Sequence, residues 1–113
     1  MGQIDKIIKQ EQEEHAKTVR RVAFVSMGAL MSCGKKDKDI AMLEIAMFAT
    51  HNEVSLEEFD NTLITTKPCV DAMTKLFIHA DKLKTTVECH NFLDKAEKFF
   101  VENGKMPTVE DLA

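Results

Sequence analysis

The stretch HNEVSLEEFDNTLITTKPCVDAM, His51 to Met73, decides that this chain is read as helical. Ser55 followed by Glu58 makes a capping box, in which hydroxyl and carboxylate each take up a backbone amide at a helix start. A helix is therefore predicted from Leu56, burying Phe59 and Leu63. Pro68 suits the first turn of another helix, where its fixed φ helps and its missing N–H costs nothing. That helix places Val70, Met73, Phe77 and Ala80 on one face.

Outward from this stretch, the pattern stays helical. Thr85 and Glu88 form a second capping box, followed by the stripe Cys89, Phe92, Leu93, Ala96, Phe99 and Phe100 and by a stop at Asn103-Gly104. Thr108 and Asp111 match a third box with almost no residues left to follow, so residues 105–113 are expected as a short tail. Upstream, CGKKDKD, Cys33 to Asp39, supplies a glycine stop and Asp37 or Asp39 as the next N-cap. The helix it opens is predicted over about Ile40 to Thr50.

No proline interrupts Gln3 to Cys33, which reads as one long helix with Ile4, Ile8, Val19, Val22 and Leu30 along its stripe. Glu11 and His15 occupy the same stripe and break it. Residues 1–18 are thus expected as a protruding half-helix on which Ile4, Ile7 and Ile8 form an apolar patch, cut off from the core by a polar waist. Glu13 and Lys17 are spaced to pair across one turn. The second half is apolar on nearly every side, and Ser26 and Gly28 would let another backbone come close. The expected fold is all-α, a compact bundle of about five helices with a long N-terminal helix, in one domain spanning 1–113. Its core is expected to hold Val22, Leu30, Leu43, Met47, Phe59, Leu63, Phe77, Leu93 and Phe99.

Composition narrows the function classes. The chain is 44% hydrophobic and 30% charged, as in an ordinary globular protein rather than a disordered one. Its net charge of −4 offers no global positive field for a phosphate backbone, and without Trp or Tyr it lacks favoured residues for stacking on sugars or bases. The three cysteines form no CxxC pair, and the acidic, polar N-terminus is unlike a signal peptide, so a reducing cytoplasm is expected. VAFVSMGALM, Val22 to Met31, is about half a membrane span and reads as a buried helix, so no membrane partner is expected.

The chemistry-bearing residues form no motif. His15, His51, His79, His90 and the cysteines show no HxxxH, HExxH or CxxC spacing, so no metal ligand and no cofactor is expected. Cys89 and His90 are adjacent and diverge on a helix. HNEVSLEEFDN has the acidity of a calcium loop without its central glycine or spaced carboxylates. Cys69, near a helix start, is the one candidate for a small cysteine-dependent enzyme. No catalytic residue is assigned, and a non-enzyme is expected.

From Leu43, LEIAMFATHNEVSLEEFDNTLITTKPCVDAMTKLF resembles the helix-turn-helix core of small winged-helix-type regulators over residues 43–77. The resemblance implies a DNA-reading helix from Thr66 to Ile78, led by Thr66, Lys67, Cys69, Asp71 and Lys75. Asp60 stands where the pattern has a small residue and Ile64 where it has glycine. The helix has no Arg or Gln for paired base contacts, and no wing follows. The residues themselves point instead to protein contact, as adaptor, assembly factor, inhibitor or regulator. The partner would be another protein or a second copy of this chain, bound through Ile4, Ile7 and Ile8.

Overall fold

Among the described residues, five helices and a closing 3-10 turn follow one another: α1 (Gly2–Ser32), α2 (Lys38–His51), α3 (Leu56–Asp60), α4 (Lys67–Asp81), α5 (Thr86–Asn103) and the turn Glu110–Leu112. This computed structural model describes residues 2–32, 37–62 and 64–113. No strand occurs among them. The expected roles of Cys33, Gly34 and Leu63 lie outside the described residues.

The helix boundaries follow local chemistry. At α3, the Glu58 amide donates to Ser55 Oγ at 3.2 Å, and the Ser55 amide donates to Glu58 Oε2 at 2.9 Å. Thr85 Oγ1 accepts from the Glu88 amide at 3.1 Å and starts α5, which Gly104 ends at φ 71°. The left-handed position after α2 belongs to Glu53, at φ 59°, with no glycine there to take the strain. Thr108 and Asp111 also close their box, at 2.9 and 3.2 Å. The segment read as a tail is docked: Pro107 is buried, and Met106, Val109 and Leu112 pack against the core.

α1 is the axis of the molecule. Its C-terminal half sends Ala23 and Phe24 into a core shared with Ile64, Met73, Leu76, Ala96 and Phe100. Val19 and Val22 meet Val54 in a second, smaller cluster. Lys17 pairs with Glu102 at 3.3 Å and Arg21 with Glu97 at 3.7 Å, so α1 and α5 run antiparallel. Arg20 Nε donates to the Val101 carbonyl at 2.7 Å, tying the end of α5 to the same place. Lys17 therefore reaches across to α5 rather than pairing with Glu13.

Several core assignments change. Val22 is buried as expected, whereas Leu30, Phe59, Phe77, Leu93 and Phe99 are half-buried, and Phe100 takes the deep position. Leu43 and Met47, expected inside, are 64% and 65% exposed. α2 turns Ala41 toward α1 instead, with Ile45 and Ala49 half-buried beside it. What approaches Gly28 is a side chain, the Phe77 ring, rather than a backbone.

Candidate functional site

The N-terminal half of α1 is built from good helix formers: Gln3, Lys6, Lys9, Gln10, Glu11 and their neighbours hold the helix without tertiary support. Every residue from Gly2 to His15 is exposed. Ile4, Ile7 and Ile8 are 64%, 56% and 49% exposed, so the sequence-predicted apolar patch stands on an uncovered arm. At about 1.5 Å per residue, α1 is roughly 46 Å long, which accounts for most of the molecule's 53 Å long axis.

The polar waist is where the arm joins the body. His15 Nε2 lies 2.8 Å from Glu58 Oε1, the second oxygen of the carboxylate that closes the Ser55 box. An ionised carboxylate only accepts, so the imidazole carries its proton on Nε2. The Ser55 backbone hydrogen bond, followed by that from His15, holds the Glu58 carboxyl below its ordinary value. An open groove of about 410 Å³ borders this junction, between His15, Ala16 and Arg20 on one side and Glu58 and Asn61 on the other. The sequence marks Glu58 as a capping residue and nothing more. The box that names it in the sequence gives no hint that its other oxygen would find His15, 43 residues away.

A second uncovered surface is the outer side of α2. Ile40, 60% exposed, lies there with Leu43 and Met47, and a shallow groove of about 420 Å³ runs past Met47, Thr50 and His51. The sequence does not mark these residues as a surface. Their i, i+3, i+7 spacing was present in the sequence, but α2 is apolar on its other faces too, so spacing alone did not say which way they point.

On α4, Lys67, Asp71 and Lys75 are exposed on one face, whereas Thr66, the N-cap, and Cys69 are half-buried. α4 packs on α5, and α3, barely more than a turn long, packs on α1. The closing segment borders one edge of α4, where Pro107 and Val109 face Ala72 and Lys75 across a groove.

The titratable and metal-binding side chains stay dispersed. Among the described residues, no three of His, Cys, Asp or Glu converge as a cation cage. His79 packs against Phe92 in a tilted pair, with ring centroids 4.7 Å apart, and Cys69 and Cys89 are free thiols. Burial pushes the Glu97 carboxyl up, despite Arg21 nearby. Among the described residues, no helix is long and apolar enough to cross a membrane. In comparisons with known proteins, no family model, curated protein or solved structure matches this chain.

Proposed function

We propose that this protein acts by protein contact and not by chemistry of its own, offering the N-terminal arm of α1 to a partner as an adaptor, assembly factor, inhibitor or regulator. The observation that carries this reading is the exposure of Ile4, Ile7 and Ile8 on a half-helix that no other element covers. Water-exposed isoleucines gain roughly 1.5 to 3 kcal/mol each on full burial, so a partner helix or groove would find most of its binding energy there. The free thiols Cys69 and Cys89 fit a reducing cytoplasm.

The test is the double variant Ile4→Asp, Ile8→Asp. Its helicity and cooperative unfolding should match the parent, because the arm contributes nothing to the core, while binding to a partner or to another copy is lost. A large fall in melting temperature with no change in association would mean that the isoleucines are core.

A second reading, DNA contact through α4, draws on the exposure of Lys67 and Lys75 on one face with Thr66 at the helix start. Retention of random duplex at low salt, weakened by Lys67→Ala and Lys75→Ala, would put that reading ahead.

A further inference from the structure

The helices that meet α1 are held to it in unequal ways. α5 is tied by Lys17–Glu102, by Arg21–Glu97 and by the Arg20 bond to the Val101 carbonyl, and α3 is tied by His15–Glu58. Among the described residues, no side-chain hydrogen bond or ion pair joins α2 to α1. The side-chain bonds at the C-terminal end of α2, from Thr50 and Asn52, run back to its own carbonyls. Of its 14 residues only Ala41 is buried, with Ile45 and Ala49 half-buried.

The contact that remains has a polar defect. Ser26 of α1 is 2% exposed, and its Oγ has no hydrogen-bond partner. It lies where α2 crosses, beside an open cleft of about 170 Å³ between Val25 and Ala29 of α1 and Ala41, Ile45 and Phe48 of α2. A buried hydroxyl without a partner carries its full desolvation cost, which water removes on exposure. Closure of α2 over Ser26 is thus opposed from inside the contact.

We infer that α2 is a flap, which swings off α1 while the rest of the fold stays in place and uncovers Val25, Ser26 and Ala29. Its anchored end is the C-terminal one, because Val54 is buried with Val19 and Val22. Glu53 stands between flap and anchor, in the left-handed region at φ 59°. Hinges are residues at the ends of elements that absorb a backbone change, and leaving this region is favourable for a residue with a Cβ. Strain at the pivot and the unpartnered hydroxyl therefore act in the same direction. The small apolar contact of Ala41, Ile45 and Ala49 opposes them, with the bond from the Val54 amide to the Ala49 carbonyl at 2.8 Å as a latch across the pivot.

Few buried apolar side chains and no polar ties to the neighbouring helix are the marks of a unit that opens below the free energy of global unfolding. The flap controls access to one side of α1. It is separate from the isoleucine arm, and neither reading requires the other.

Native-state hydrogen exchange on the full chain, in rising but sub-denaturing guanidinium, tests the inference. The amides from Met42 to His51, with that of Val54, should share one opening whose denaturant dependence is much weaker than that of the α4 and α5 amides. Ser26→Ala should slow exchange of this α2 group roughly tenfold, since the closed form no longer holds an unpartnered hydroxyl. The better helix propensity of alanine cannot imitate this, because α1 is helical in both the open and the closed form. The thiol introduced by Ser26→Cys gives a second readout: a thiol reagent, with the labelled position read by mass spectrometry, should reach it at the α2 opening rate.

Exchange of α2 only together with α5 would overturn the inference, as would loss of its amides one by one from the ends or without measurable protection. So would α2 rates left unchanged by Ser26→Ala. Labelling at position 26 that waits for global unfolding would show that α2 melts in place and does not leave α1.

Discussion

α5 carries Ala96 and Phe100 into the core, whereas α2 carries Leu43 and Met47 out into solvent. Both helices are rich in apolar residues. They differ in arrangement: α5 alternates its stripe with Glu88, Asp94, Lys95 and Lys98, and α2 has apolar side chains nearly all round. A helix with one greasy face has a single way to lie on a body, and a helix with several must leave one uncovered. In α5 the pattern serves folding. In α2 part of it is left over for something else.

The largest expected effect tests the α5 side of this contrast. Phe100 is 1% exposed and packs against Phe24 in a tilted pair, with centroids 6.0 Å apart. Phe100→Ala should cost roughly 3 to 5 kcal/mol by leaving a cavity among residues that cannot fully collapse. Phe99→Ala, at a half-buried position, should cost distinctly less. Denaturant melts of the two variants compare them directly, and equal losses would mean that the stripe is not turned as described.

That contrast also marks what the sequence could say. The capping residues Ser55, Thr85 and Gly104 announce their helices because each does its work within a few residues of chain. The stripe of α5 is legible for the same reason. The choice between Ala41 and Leu43 as the inward residue of α2 is not local: it depends on how α2 is laid against α1, which no residue within α2 specifies. Nor is the His15–Glu58 contact, which joins the first helix to the third. The apolar arm was readable because a polar waist at Glu11 and His15 interrupts a regular stripe, and interruption is itself a pattern.

A smaller effect is expected where α2 ends. Glu53 occupies a left-handed conformation that costs a side-chain-bearing residue about 1 to 2 kcal/mol, and glycine pays little of it. Glu53→Gly should therefore stabilise the chain by about 1 kcal/mol, less whatever entropy the unfolded chain gains. Thermal unfolding measures it. A loss of stability would mean that Glu53 makes a compensating contact.

Acid should separate the two sides of the molecule in sign. The folded-state pKa of Glu58 is lowered, so its contribution is present above its ordinary value near 4.5 and is lost as pH falls through the folded value. Glu97 on α5 is raised by burial: its proton is held more tightly when folded, and its ionised form becomes unfavourable as pH rises from 4.5 through the folded value. Acidification thus loosens the α1–α3 junction beside α2 and favours the surroundings of Glu97. Amide hydrogen exchange through mild acid should show α3 losing protection before α5, and Glu58→Gln should remove much of the difference. Simultaneous loss in both helices would tie the junction to the core.

The smallest expected effect tests the other side of the contrast. Leu43→Ala with Met47→Ala removes two large side chains, yet in a dilute monomer both are mostly exposed, so no cavity forms and little packing is lost. Alanine is at least as good a helix former as either, and the double variant should unfold within about 0.5 kcal/mol of the parent. Denaturant melts at high dilution measure it. A substantial loss would instead return Leu43 and Met47 to the core.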